Sequence, residues 1–190
     1  MRQKIYQFIF FTLLGWKQEG TFDKNLKKCV FIVVPHTSWF DFFIGVMTRG
    51  VLGIDINWVG KKELFIFPLN YYFSWMGGTP LNRQKNENKV DSIAKIFAQK
   101  DTFRLAIAPE GTRKKVTEWK TGFYYIAQKA NVPIVPVAFD WGNKKIIVAD
   151  PFQITGNFET DLKFLESKFE GIQGKKKEFS YSPTKILTTK

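Results

Sequence analysis

Histidine and cysteine are almost absent from this 190-residue chain, which has one of each, so a site that needs several His or Cys ligands is excluded. The lone Cys29 cannot form a disulfide within the chain, and its β-branched and aromatic neighbours predict a buried core position in a reducing compartment. A Gly-x-Ser-x-Gly elbow, a P-loop and a dinucleotide-binding glycine pattern are also missing, which argues against the sites they build. No acidic cluster suggests a metal site, and we predict neither a metal nor a cofactor.

Negative charge is scarce as well, because 17 Asp and Glu are opposed by 29 Lys and Arg, giving a formal net charge of +12. A basic surface attracts polyanions such as nucleic acid, anionic lipid headgroups or an acidic carrier. The chain is also rich in aromatic residues, with 20 Phe and 6 Trp. Because amphipathic rings sit well at a membrane interface, we expect an anionic membrane surface as a partner, and no nucleic acid.

Apolar strand-like runs alternate with amphipathic helical segments along the chain, which predicts an α/β fold. Strands are predicted at 29–34, 54–59, 103–108, 134–139 and 145–149, and helices at 39–49, 88–100 and 121–130. The length suits a single domain, with a mixed central sheet flanked by helices over residues 21–170. The lysine-rich residues 171–190 are expected to form a basic, solvated C-terminal extension.

Residues 1–20 are expected to form a helix that associates with a membrane. Arg2 and Lys4 precede a mostly apolar stretch at 5–16, which is shorter than the roughly 20 residues that span a bilayer. An interfacial helix fits this pattern, and a helix packed on the protein's own core is the alternative. The aromatic segment 64–76 has three interpretations: the core, the wall of a groove for a hydrocarbon chain, or a second membrane contact.

His36 follows the first predicted strand and opens the sequence His-Thr-Ser-Trp-Phe-Asp, which ends at Asp41. In α/β folds the loop after a buried strand is where reacting groups lie. His36 could therefore act as a general base, with Asp41 holding its other ring nitrogen. The structural alternative is a capping box, in which Ser38 caps the next helix and Asp41 faces the helix dipole.

A second charged turn follows the strand predicted at 103–108, with the sequence Pro-Glu-Gly-Thr-Arg at 109–113. A glycine lets backbone N–H groups approach an anion, and the planar guanidinium of Arg113 matches phosphate oxygens. The alternative is an ordinary polar turn. Arg83, at the end of the run 78–83, is a further candidate cation, and Lys120 is a weaker one.

Taken together, these segments resemble the glycerolipid acyltransferases, the lysophosphatidic acid acyltransferase (PlsC-like) family. Four family blocks match in order: H-x-x-x-x-D at 36–41, G-x-x-x-x-R at 78–83, P-E-G-T-R at 109–113 and V-P-x-x-P at 132–136. The resemblance implies a PlsC-like acyltransferase fold. It also implies transfer of a fatty acyl group from a thioester, acyl-CoA or acyl carrier protein, to the free hydroxyl of a lysolipid. The enzyme would act in phospholipid biosynthesis, peripherally on the cytoplasmic face of the cell membrane.

The family's residue roles carry over to matching positions only. His36 would be the general base and Asp41 its support, so these two are the catalytic candidates. The substrate-binding candidates, which would hold the acceptor phosphate or shape its turn, are Arg83, Glu110, Gly111, Thr112 and Arg113.

Other functions remain open at this point. The favoured acceptor is 1-acyl-sn-glycerol-3-phosphate, but Pro80 and Asn82 differ from the family's usual residues. A lyso-aminolipid of the ornithine type is therefore an alternative acceptor. A lipid esterase, in which the same pair activates water, and a non-catalytic basic lipid-binding module are the other two candidates.

Overall fold

The computed structural model describes residues 2–81 and 88–181, without the side chains at positions 61 and 64. The α-helices are α1 (Arg2–Gln7), α2 (Phe40–Leu52), α3 (Leu69–Trp75), α4 (Lys89–Gln99), α5 (Gly122–Ala130) and α6 (Phe158–Ser167). The strands are β1 (Lys17–Glu19), β2 (Lys28–Val34), β3 (Trp58–Lys61), β4 (Gly78–Leu81), β5 (Phe103–Ile107), β6 (Ile134–Asp140) and β7 (Lys145–Val148). A π-helical stretch, Phe8–Leu13, continues α1.

A five-stranded mixed sheet in the order β1-β7-β6-β2-β5 forms the centre of the molecule. β2 lies between β5 and β6 and is parallel to both, whereas β6 and β7 are antiparallel. The predicted mixed sheet flanked by helices is therefore confirmed. The parallel arrangement means that the loops after β5, β2 and β6 leave from the same edge of the sheet.

The two faces of the sheet bury two separate apolar clusters, because successive side chains of a strand point to opposite faces. On β2, Val30, Ile32 and Val34 face the cluster formed with α4, α5 and α6. Cys29 and Phe31 face the other cluster, formed with α2 and the N-terminal segment. Cys29 is fully buried, and burial raises the pKa of its thiol to about 12, as expected of a core position rather than a nucleophile.

The strand predicted at 54–59 is wrong in detail. β3 begins at Trp58 and pairs in parallel with β4, so the two form a separate small sheet. Asn57 makes only an isolated bridge, with Leu105 of β5. Pro80 can lie in β4 because a two-stranded sheet leaves one side of each strand without a partner.

The N-terminal segment, residues 2–13, packs on the domain with one side and leaves the other side exposed. Gln3 and Gln7 donate hydrogen bonds to the carbonyl of Val51 in α2, and Phe10 is fully buried. Several apolar side chains of the same segment remain exposed: Ile5, Phe8, Phe11 and Leu13. The buried side matches a helix packed on the protein's own core, whereas association of the exposed side with a membrane stays a prediction. Across the described ranges, no helix has the length and apolar character needed to cross a bilayer.

Candidate active site

The loop that follows β2 holds His36 against Asp41, the first acidic residue of α2. The Nδ1 atom of His36 lies 3.3 Å from Oδ2 of Asp41. The His36 side chain is 29% exposed and that of Asp41 only 2%, so the imidazole can meet a substrate while the carboxylate is shielded from water. This is the geometry of a general base whose second nitrogen is oriented by a carboxylate.

Asp41 also fixes the start of α2. Its Oδ2 accepts hydrogen bonds of 2.8 Å from the backbone N–H groups of Thr37 and Ser38. The helix cap itself is Trp39 rather than the predicted Ser38, whose hydroxyl oxygen accepts a longer bond from Phe40. One carboxylate therefore both organises the helix start and faces the imidazole.

The turn after β5 reaches the same loop. The carboxylate of Glu110 accepts a 2.5 Å hydrogen bond from the backbone N–H of His36. Glu110 is buried, and this burial raises the pKa of its carboxyl to about 7, against the smaller opposing effects of the His36 backbone and imidazole. The turn predicted to bind phosphate is thus physically joined to the histidine loop.

The rest of that turn presents groups outward. Gly111 has a φ of +63°, and a Cβ there would come within 2.8 Å of the Lys120 ammonium nitrogen, so the lysine stem lies across the glycine. Thr112 is half-buried, and its hydroxyl accepts a bond from the backbone of Lys114. Arg113 is exposed. Together with Lys114, Lys115 and Lys120, it makes the exposed part of this turn strongly basic.

Not every predicted site residue can be placed. Gly78 and Pro80 of the second block lie in β4, but Arg83 lies outside the described residues. The fourth block, at 132–136, leads into β6, where Pro136 pairs with Ile32 in the middle of the sheet. This block supports the fold rather than lining the histidine loop.

A cavity of about 220 Å³ opens beside the dyad and runs between α2 and the sheet. His36 and Asp41 lie at its wall. Most of the other lining groups are apolar, including Phe42, Val46, Leu52, Ile56, Trp58, Met76, Val137 and Phe139. A mostly apolar cavity with a base in its wall suits a hydrocarbon chain whose reactive end must reach that base. Among residues 2–81 and 88–181, no three His, Cys, Asp or Glu side chains are grouped to hold a metal ion.

Sequence reasoning missed Trp141, whose indole N–H donates a 2.8 Å hydrogen bond to Oδ1 of Asp41. Trp141 directly follows β6, the third of the parallel strands that end at this edge. The same strand-end argument that selects His36 and Glu110 would also have selected Trp141. Because a tryptophan is uncharged, the sequence pattern does not distinguish this position from an ordinary core residue.

Comparisons with known proteins identify the family. The sequence profile of the family described as Acyltransferase matches residues 18–140. A 1-acyl-sn-glycerol-3-phosphate acyltransferase of Saccharomyces cerevisiae is 30% identical over 134 residues, which are 66% of this chain and 43% of that protein. One from Haemophilus influenzae is 28% identical over 137 residues, 62% of this chain and 57% of that protein. The chain thus spans about half the length of these relatives.

A solved structure shares the fold. The crystal structure of the 1-acyl-sn-glycerophosphate acyltransferase PlsC from Thermotoga maritima superimposes with a TM-score of 0.57 at 20% identity. The match covers 87% of this chain and 74% of that one. With the four sequence blocks in order and the first and third joined at one sheet edge, the chain belongs to the PlsC-like acyltransferase family.

Proposed function

We propose that the protein transfers a fatty acyl group from a thioester to the free hydroxyl of a lysolipid, most simply 1-acyl-sn-glycerol-3-phosphate. The observation that carries the proposal is the imidazole–carboxylate pair, 3.3 Å apart, at the wall of an apolar cavity. The named relatives, which act on that acceptor, support the choice of substrate.

In this reaction His36 takes the proton of the acceptor hydroxyl as its oxygen attacks the thioester carbonyl carbon. The new C–O bond forms, the C–S bond breaks, and the proton leaves with the thiolate. Asp41, nearly excluded from water, stabilises the imidazolium that forms between these steps. A positioned base contributes about a hundred- to ten-thousandfold in rate, and holding two substrates against it adds a positional effect.

The cavity supplies the place for the acyl chain. Its mostly apolar lining removes hydrocarbon from water, and His36 lies in its wall. A thioester bound with its chain in this cavity would hold its carbonyl carbon beside the base. Acyl-CoA and acyl carrier protein both present such a thioester and both carry phosphate, so the basic surface of the chain is compatible with either donor.

The turn after β5 is proposed to hold the acceptor phosphate. Arg113 supplies a guanidinium, Gly111 keeps the backbone accessible, and Lys120 lies across that glycine. Glu110 joins the turn to the His36 backbone, which would keep the phosphate site at a fixed distance from the base. Arg83 is proposed to assist from the second block.

We further propose that the protein binds peripherally to the cytoplasmic face of an anionic membrane. The exposed apolar side of residues 2–13 would lie at the acyl boundary. A groove of about 490 Å³ separates this segment from α3 and is lined by Arg2, Ile5 and Trp75. The exposed aromatic residues of α3 therefore lie near the same surface, with Arg2 placed to meet lipid phosphates.

The proposal is tested with purified protein, labelled palmitoyl-CoA or palmitoyl carrier protein, and lysophosphatidic acid. His36→Ala should lower kcat at least a hundredfold because it removes the base, and Asp41→Asn should do so because its amide cannot stabilise the imidazolium. Arg113→Ala should instead raise KM for lysophosphatidic acid more than KM for the thioester. The measurement is diacyl product formed per unit time.

Circular dichroism is the control for folding of each variant. Lys114→Ala is the matched control for Arg113→Ala, because it removes an exposed cation from the same turn outside the family block. Full turnover by either dyad variant would contradict the proposal. Release of free fatty acid without diacyl product would identify the esterase instead.

A further inference from the structure

Residues 173–181, here named the C-terminal strap, lie directly on the loop that carries His36. The backbone N–H of Lys176 donates a 3.2 Å hydrogen bond to the Thr37 hydroxyl, which is buried. A Cβ on Gly174 would come within 2.5 Å of Thr37 Cγ2, so only glycine allows this approach. The described part of the basic C-terminal extension therefore packs on the histidine loop through its backbone and Gly174, while the side chains of Lys175, Lys176 and Lys177 remain exposed.

The strap is held by a hydrogen bond within itself and by contacts with the rest of the domain. The hydroxyl of Ser180 accepts a bond from the backbone of Gly174, and the Tyr181 hydroxyl donates a 2.6 Å bond to Glu166. The Tyr181 ring also packs 5.0 Å from that of the buried Trp119. These contacts anchor both ends of the strap, so its middle is held in place over the histidine loop.

Trp141 connects the strap to the dyad. Its backbone N–H donates to the carbonyl of Gln173, and its indole N–H donates to Oδ1 of Asp41, each at 2.8 Å. The other carboxylate oxygen, Oδ2, faces His36 and the helix-start N–H groups. A carboxylate held through both oxygens cannot rotate, and the indole satisfies a buried acceptor that would otherwise lack a partner.

Lys175 of the strap makes a cation–π contact with the indole of Trp141. Its ammonium nitrogen lies 4.5 Å from the centre of the Trp141 ring and 3.9 Å from that of Phe40. The Trp141 ring also lies nearly perpendicular to that of Trp16, with the ring centres 5.0 Å apart. A cation over two aromatic faces is an attractive contact, so it favours the indole position from which Asp41 is bonded.

We propose that Trp141 is a positioning residue for the acyl-transfer dyad and that the C-terminal strap, through Lys175, keeps it in place. This inference rests on the proposed roles of His36 and Asp41. Trp141 does not line the apolar cavity and acts only through the Asp41 carboxylate. Its removal should therefore slow the chemical step without weakening the binding of either substrate.

The test variant is Trp141→Phe, which keeps an aromatic ring and removes the indole donor. We expect kcat to fall about tenfold, as is typical when an outer partner of a catalytic group is lost, with both KM values nearly unchanged. Trp16→Phe is the matched control, because it alters the neighbouring indole in the same ring cluster, which does not donate to Asp41. It should leave kcat within about twofold of wild type.

The single histidine provides a second readout that a merely structural role would not move. In protein labelled with ¹⁵N, the side-chain signals of a histidine can come only from His36. Trp141→Phe should shift the Nδ1 signal, because Asp41 would then carry its charge without the indole, whereas Trp16→Phe should not. A lower thermal midpoint combined with wild-type kcat and an unmoved Nδ1 signal would overturn the proposal.

Lys175→Met keeps the test decisive should Trp141→Phe fail to fold. The exposed Lys175 side chain can be replaced by one of similar length that lacks the charge. A loss of about threefold in kcat, with KM unchanged and the Nδ1 signal displaced, would support the strap's role. Wild-type kcat and an unmoved signal would overturn it.

The outcome for His36→Ala separates the two proposals. Inactive His36→Ala together with fully active Trp141→Phe and Lys175→Met would leave acyl transfer standing and reject the positioning role. Active His36→Ala would reject the proposed base. The Nδ1 signal would then still report whether the indole orients the His36–Asp41 contact.

Discussion

At the scale of single residues, Asp41 shows how much one buried carboxylate can organise. It receives backbone N–H groups from the helix start, the imidazole of His36 and the indole of Trp141. A carboxylate with this many donors is held in one orientation, although water hardly reaches it. Its charge is then available to the imidazolium that the proposed reaction creates.

The buried carboxyl of Glu110 leads to a prediction about how the stability of the protein depends on pH. Its pKa is raised from 4.5 to about 7, so between these values the folded protein binds more protons at this group than the unfolded chain. The contribution of Glu110 to the free energy of unfolding therefore falls as pH rises through that window, by up to about 3 kcal/mol. Urea denaturation at pH 5 and pH 8 measures it.

Glu110→Gln is the variant for this measurement, because glutamine can still accept the His36 backbone N–H but cannot ionise. Relative to wild type, the variant should gain stability between pH 5 and pH 8 and show no further change above that range. Parallel stability curves for the two proteins would show that Glu110 titrates normally in the folded state.

At the scale of elements, the N-terminal segment combines a docked side with an exposed one. Phe10 is fully buried, while Phe8 is 58% and Leu13 is 66% exposed. The buried ring fixes the segment to the domain, so the exposed side chains are presented in a constant direction. Such an arrangement suits a helix lying in the plane of a membrane interface.

Phe8→Glu and Leu13→Glu should each weaken binding to vesicles containing anionic phospholipid about tenfold, since each removes an apolar contact and adds a repelled charge. Flotation or tryptophan fluorescence titration measures the affinity. Phe164→Glu is the control, because this exposed ring of α6 lies on the opposite face of the sheet. If Phe8→Glu and Leu13→Glu bound vesicles as tightly as the control Phe164→Glu, the segment would have only a structural role.

At the scale of the whole molecule, the cavity beside His36 belongs to no single element. Its walls come from α2, from β2, β5 and β6 of the central sheet, and from Trp58 and Met76 beside the small sheet. Its length and width are therefore set by how the two sheets and α2 pack together. We expect the same packing to set which acyl chains the enzyme prefers.

Gly45 in the middle of α2 offers a way to shorten this cavity. A Cβ at Gly45 would meet only the Phe139 ring, at 4.0 Å, so a larger side chain can enter without disturbing the backbone. Gly45→Leu should lower kcat/KM for palmitoyl thioesters relative to octanoyl thioesters by about tenfold, because the added volume displaces several methylene groups.

The matched control is Gly45→Ala, which gains the same helix propensity but adds a single methyl group. It should retain most of the wild-type preference for chain length. An unchanged ratio in Gly45→Leu would mean that the acyl chain lies elsewhere.

The local sequence pattern was sufficient to predict the buried strands and two of the amphipathic helices. The strands at 28–34, 103–107 and 134–140 each hold a single charged residue in an otherwise apolar run, which identifies them as buried strands of the central sheet. Helices 89–99 and 122–130 carry an apolar stripe of helical period. By contrast, β1 is made of the polar residues Lys17–Glu19 and is a strand only because it pairs with β7.

The sequence by itself determined the core strands and the order of the four blocks, because strand periodicity and block spacing are local properties. Through the family resemblance of those blocks it also marked His36, Asp41 and Glu110 as candidate site residues. Only the tertiary structure decided that Trp141 bonds Asp41, that Lys175 covers that indole and that α2 and the two sheets enclose a cavity. Contacts of this kind join residues that are far apart in the chain, and the bond between Thr37 and Lys176 spans 139 positions. Such pairs depend on how every intervening element packs, and no local pattern encodes that.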